Sequence, residues 1–82
     1  KDYVVERAPI GYHVTGRPLG EGWLDLEALA EVLAPRLADL DLYVELWMDP
    51  APGASGDDPR TLAQEEAQVA SSLSALAAWA RG

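Results

Sequence analysis

The stretch Leu42-Tyr43-Val44-Glu45-Leu46-Trp47-Met48 decides the fold that the sequence predicts, because it is a continuous apolar run rich in strand-forming residues. A strand covered on both faces in a parallel sheet has this pattern. The only charged residue in the run is Glu45. A carboxylate among apolar side chains is costly unless a cation or a metal ion compensates it. The run therefore predicts a buried strand over 41–47, with Glu45 as a candidate catalytic residue and metal ligand.

Two other interpretations of Glu45 stay open at this point. The strand could lie at an exposed edge where Glu45 meets water, or the carboxylate could pair with an arginine for a structural purpose alone.

Helical patterns flank this run on both sides. Asp25 is a suitable N-cap for a helix over 25–38, which Pro35 ends or distorts. Asp58-Pro59 has the N-cap and first-turn chemistry that begins a second helix, over 59–81. The apolar stripe of the second helix is predicted to contain Leu62, Val69, Leu73, Leu76 and Ala80, with Glu66 on the same side.

Residues 2–22 are predicted to form a hairpin loop, in which 3–8 pair antiparallel with 12–17 around Pro9-Ile10-Gly11. If Ala8 pairs with Tyr12, one polar face carries Arg7, His13 and Arg17. We expect this face to bind substrate hydroxyls or phosphate. The alternative is a charged face that is simply solvated.

Composition narrows the classes of function. The net charge is −8, which argues against non-specific binding to nucleic acid or anionic membrane. The chain has no cysteine, no targeting peptide and no apolar run long enough for a bilayer, so a cytoplasmic setting is predicted.

The order of elements predicts an α/β protein with parallel strands. Two strand–helix units cannot cover both faces of a parallel sheet, and the chain begins at Lys1 at what resembles the end of a strand. We therefore expect a piece of a larger fold.

Three parts of the chain together resemble one known family. They are Lys1-Asp2 followed by Arg7, the segment Gly16-Arg17-Pro18-Leu19-Gly20-Glu21-Gly22-Trp23-Leu24-Asp25, and Val44-Glu45-Leu46-Trp47. With their spacing, and with Glu65-Glu66 and Ser72 in the last helix, they resemble the C-terminal end of the sugar phosphate isomerase/epimerase family, which are xylose-isomerase-like TIM barrels.

The resemblance implies that residues 1–82 are the last two β/α units of a (β/α)8 barrel. The chain would then comprise the end of strand 7, the hairpin loop 2–22, a helix over 25–38, strand 8 over 41–47 and a helix over 59–81. Glu45 would occupy the place of the family's metal-binding glutamate at the end of the last strand. The remaining ligands and the rest of the barrel would lie before Lys1.

The same resemblance implies a metal-dependent isomerase or epimerase of carbohydrate metabolism that acts on a sugar or sugar phosphate through an enediolate. The metal would be Mn, Mg, Co or Zn, the isolated chain would be inactive, and the enzyme could be a homo-oligomer. Two alternatives remain, namely a dehydratase or lyase of the same barrel family acting on a polyol-derived ketone, and a non-enzymatic acidic α+β interaction module.

Overall fold

The computed structural model describes residues 1–82 and contains one two-stranded sheet and two α-helices. Strand β1 (Asp2–Arg7) pairs antiparallel with β2 (Tyr12–Arg17). Helix α1 (Leu26–Leu33) continues into a 3₁₀ helix over Ala34–Asp39. Helix α2 (Pro59–Ala80) ends the chain.

The predicted fold class is wrong: the chain is not built of two β/α units with parallel strands. Residues 41–47 form no strand, because no hydrogen bond engages the main chain anywhere in 41–48. A strand exists only where a neighbouring chain satisfies its N–H and C=O groups. Here β1 and β2 pair with each other, and neither extends a sheet to this segment.

The predicted hairpin forms, but its register differs by one residue. Arg7 lies opposite Tyr12, and Glu6 lies opposite His13. The turn spans four residues, 8–11, and the N–H of Ala8 donates to the carbonyl of Gly11 over 3.0 Å. Because successive side chains alternate between faces, the shift moves every side chain of one strand relative to the other. Arg7 is therefore on the opposite face from His13 and Arg17, and the predicted shared polar face is wrong.

Both helices begin at their predicted caps. The Asp25 carboxylate accepts the N–H of Ala28 over 2.9 Å, and the Asp58 carboxylate accepts the N–H of Arg60 over 2.8 Å. Pro35 lies where α1 tightens into the 3₁₀ helix, because proline cannot donate the next helical hydrogen bond.

Helix α2 turns a different side toward the rest of the chain than its apolar pattern predicts. Leu62, Val69 and Leu73 are exposed, as is Glu66. The more buried side is mainly polar and contains Thr61, Gln64, Gln68, Ser72, Leu76 and Trp79. Most of an apolar helical stripe is thus left facing away from the protein's own interior.

The structure is a thin layer without a closed apolar core. Its extents are 44 × 33 × 16 Å. None of its large hydrophobic side chains is fully buried. The buried side chains with polar groups are Asp2, Thr61 and Ser72. A stable domain needs two packed layers of secondary structure, so this layer leaves apolar surface open.

We expect Gly22→Ala to destabilise the protein by about 1–3 kcal/mol, because a methyl group has no room there. A Cβ at Gly22 would overlap the Asp2 carboxylate and the Tyr3 carbonyl. Gly56→Ala is the matched control, since a Cβ at Gly56 meets nothing within 4 Å. Urea unfolding of both variants measures the difference, and equal midpoints would contradict the close approach.

Candidate functional site

Glu45 is exposed to solvent and is not buried. Its side chain is 69% exposed, and its Oε1 is 3.0 Å from the Nζ of Lys1. The same ammonium lies 4.8 Å from the centroid of the Trp47 ring. The prediction that Glu45 lies in a strand buried on both faces is therefore wrong for this chain. The Lys1–Glu45 ion pair is exposed and contributes little to stability.

The segment around Glu45 nevertheless has two distinct faces. Tyr43, Glu45 and Trp47 are exposed, while Val44, Leu46 and Met48 are partly buried. Burial that alternates with a period of two is typical of an extended chain. Residues 42–46 border an apolar cavity of about 130 Å³ together with leucines of α1 and Trp79 of α2. The segment thus has the alternation of a strand although it lacks a strand neighbour.

The described residues do not form a metal centre by themselves. No three histidine, aspartate or glutamate side chains lie together in a way that could hold an ion. Glu45 offers one carboxylate, whereas divalent metals that prefer oxygen need several ligands. The metal ligand role of Glu45 stays a prediction that requires groups from elsewhere.

The three predicted substrate-binding residues lie in different surroundings. Arg7 is exposed near the turn, on the hairpin face opposite to His13 and Arg17. His13 lines a cleft of about 160 Å³ with Trp47 and Asp49. Arg17 lines an adjoining cleft of about 350 Å³ that also contains Asp49.

Arg17 already has partners within the chain. Its guanidinium donates to the carbonyl of Gly16 over 3.0 Å and lies 3.6 Å from the Glu6 carboxylate. His13 and Arg17 share a hairpin face and line neighbouring clefts, so these two can act together, whereas Arg7 cannot join them in this register.

The sequence reasoning missed the central polar contact, which is the Asp2 carboxylate. Asp2 is only 2% exposed. Its two oxygens accept four backbone N–H groups over 2.8–3.0 Å, donated by Tyr3, Gly20, Gly22 and Leu24. The alternating glycines Gly20 and Gly22 were the available signal, because glycine permits close approach of the backbone to another group.

Burial raises the pKa of the Asp2 carboxyl, but the four backbone N–H groups stabilise the charged form more strongly. The pKa therefore lies below its ordinary value of 3.8. Asp2 is a structural residue of the site, because it fixes the loop that leads from the hairpin to α1.

Two side chains of α2 hold the same region from the other side. The buried Ser72 hydroxyl accepts the N–H of Leu19 over 3.0 Å. The indole Nε1 of Trp79 donates to the carbonyl of Leu26 over 2.7 Å. This hydrogen bond adds a fixed direction to the packing of Trp79 against α1.

Compared with models of known protein families, with curated proteins and with solved structures, the chain matches none of them. The resemblance to the sugar phosphate isomerase/epimerase family thus rests on the quoted motifs alone. Neither α-helix combines the length and the hydropathy needed to cross a membrane.

We expect the stability contributed by Asp2 to be lost at acid pH. The pKa of Asp2 is lower in the folded than in the unfolded protein, so the contribution is complete above the unfolded-state pKa. It declines as the pH falls through the lower, folded-state pKa. Urea unfolding between pH 7 and pH 2 measures this in the native protein and in Asp2→Asn.

At neutral pH the Asp2→Asn variant should lose about 1.5–3 kcal/mol, because an amide replaces a charged acceptor of several hydrogen bonds. The difference between the two proteins should shrink toward pH 2. A difference that stays constant with pH would contradict a charged Asp2 in the folded protein.

Proposed function

We propose that the chain contributes Glu45 to the active site of a metal-dependent isomerase or epimerase that acts on a sugar. The observation that carries the proposal is the exposure of Tyr43, Glu45 and Trp47, which places an accessible carboxylate between two aromatic residues of one extended segment. The motifs that resemble the isomerase/epimerase family, with Glu45 at the place of its glutamate, support the same assignment.

Isomerisation of a ketose requires removal of a proton from the carbon beside the carbonyl group. A carboxylate next to that carbon can take this proton, and the Glu45 side chain is accessible for that task. A bound divalent metal would supply charge stabilisation for the enediolate. Aromatic rings on both sides of Glu45 offer apolar faces to the sugar ring.

Other groups have to complete such a site, since no three side chains of the ligand type lie together in this layer. We propose that these groups come from polypeptide that covers the exposed side chains of Tyr43, Glu45 and Trp47. The layer alone would then have no activity. This requirement follows from ligand number, because one carboxylate does not hold a catalytic ion.

The charges around the clefts favour a sugar without a phosphate group. Asp49 borders the clefts of both His13 and Arg17, and the chain carries a net charge of −8. A carboxylate repels a phosphate but accepts hydrogen bonds from hydroxyl groups. We assign His13 and Arg17 to binding sugar hydroxyls, and we place the enzyme in the cytoplasm, as the cysteine-free composition favours.

Glu45→Gln tests this proposal in the gene product that carries the chain. The substitution keeps the shape and removes the charge, so we expect loss of bound divalent metal and at least about a hundredfold loss of turnover. Turnover is measured by incorporation of solvent deuterium at the carbon beside the carbonyl of unphosphorylated ketoses. Glu66→Gln is the control, because Glu66 is exposed on α2 and outside the site.

Stability of Glu45→Gln should change by less than about 1 kcal/mol, because the Lys1–Glu45 pair is exposed. Unchanged metal content together with unchanged deuterium incorporation would remove Glu45 from the chemistry and overturn the proposal.

A second candidate function is a non-enzymatic acidic interaction module. The observation that favours it is the exposed Lys1–Glu45 pair, in which the carboxylate already has a cationic partner and needs no metal. The same Glu45→Gln experiment separates the two functions. For an interaction module, the metal content and the deuterium incorporation are the same before and after the substitution.

A further inference from the structure

The cavity of about 130 Å³ beside the segment 42–46 is bounded by side chains from several parts of the chain. They come from the loop after β2, from α1, from the segment itself and from α2. The apolar side chains that form its wall include Leu24, Leu29, Leu33, Leu46, Leu76 and Trp79. Lys1, Asp2 and Glu45 are the only lining residues that are charged. The cavity is thus an apolar space with charged groups at a few points of its wall.

These charged groups already have partners within the chain. The Asp2 oxygens accept four backbone N–H groups, and Lys1 pairs with Glu45 over 3.0 Å. The indole N–H of Trp79 donates to the carbonyl of Leu26. A polar molecule that entered the cavity would give up its hydrogen bonds with water and gain few in return, which costs free energy. The wall therefore favours an apolar ligand.

The volume sets the size of that ligand. An apolar protein cavity of about 150 Å³ stays free of water and binds one molecule of benzene. At about 130 Å³ the present cavity is close to this size, so it can take a single six-membered ring and is too small for a segment of polypeptide. Contact of such a ring with the leucine side chains removes apolar surface from water on both sides.

We propose that this cavity is a binding site for a small apolar molecule of the size of one aromatic ring. The bound ring contacts α1, the segment 42–46 and α2 together. Binding stabilises the folded arrangement of these three parts, because a ligand that binds only the folded chain favours that state. This inference rests on the cavity alone, and it holds whether or not Glu45 takes part in catalysis.

Benzene is the probe, and pyrimidine is its polar control, since it is a ring of nearly the same size with two nitrogen atoms. Each is titrated into the gene product that carries the chain, in buffer that contains a metal chelator, which separates this test from the metal-dependent proposal. We expect benzene to bind saturably with a Kd on the order of 1 mM. Pyrimidine should bind at least about tenfold more weakly, because its nitrogen atoms lose hydrogen bonds with water.

The site is located in the native protein by nuclear Overhauser effects between benzene and the leucine methyl groups. We expect these effects at Leu29, Leu33 and Leu76, which line the cavity. We expect none at Leu62 and Leu73, which are exposed on the other side of α2. The comparison distinguishes the cavity from the exposed apolar stripe of the same helix.

Leu29→Trp and Leu62→Trp form a matched pair of variants. Both replace a helical leucine by tryptophan, but only Leu29 lines the cavity, whereas Leu62 is 54% exposed. We expect Leu29→Trp to weaken benzene binding at least about tenfold, because the larger side chain occupies the space of the ligand. Leu62→Trp should bind benzene as the native protein does.

Any of four results would overturn the proposal. They are a benzene titration without saturation, equal affinity for benzene and pyrimidine, Overhauser effects as strong at Leu62 or Leu73 as at Leu29, and unchanged affinity in a Leu29→Trp variant that circular dichroism shows to be folded. The titrations and the Overhauser effects use the native protein, so they decide the question even where Leu29→Trp does not fold.

Discussion

Four backbone N–H groups converge on the Asp2 carboxylate, and this contact sets the arrangement of the hairpin, the following loop and α1. The N–H of Trp23 also donates to the carbonyl of Tyr3 over 2.7 Å, so the loop lies directly against β1. From there the chain enters α1, and Ser72 holds the same loop to α2. Hydrogen bonds to a buried carboxylate are strong and directional, which lets them fix a geometry that apolar packing leaves open.

Apolar residues make up 49% of the chain, yet none of the large apolar side chains is fully buried. The hydrophobic effect is proportional to the apolar area removed from water, so much of its contribution is absent in this layer. The polar contacts therefore determine how the elements are oriented, while the apolar stripe of α2 and the segment 42–48 have surface still to bury. Covering this surface would add to the stability of the layer, because apolar area would leave water.

Local chemistry explains which elements were predictable. The helices follow from caps at Asp25 and Asp58, whose hydrogen bonds involve residues two or three positions away. The hairpin follows from its proline and glycine, but a turn of four residues rather than three shifts the register by one. The strand over 41–47 could not be judged from its own residues, because a strand is defined by the neighbour it pairs with.

The sequence could not show which face of α2 is covered or which groups contact Asp2. Helical periodicity shows that Leu62, Val69 and Leu73 share a face, but it does not show which face the rest of the chain covers. In this structure Thr61 and Ser72 are buried by hydrogen bonds with residues 51, 55 and 19, which turns the polar side inward. Gly20 and Gly22 indicated a close approach of the backbone to another group, but not that the group is Asp2, because these donors reach Asp2 only after the chain has folded.

The proposed role of Glu45 depends on the dielectric environment of its carboxylate. In the exposed layer the Lys1–Glu45 pair is screened by water and of little energetic consequence. Polypeptide that covers this segment would exclude water from the neighbourhood of Glu45, and the same carboxylate would then need strong compensation. Lys1 can supply one charge from its present position, but a divalent cation with additional ligands supplies more. The proposed role of Glu45 in metal binding or proton transfer therefore requires polypeptide that covers this segment.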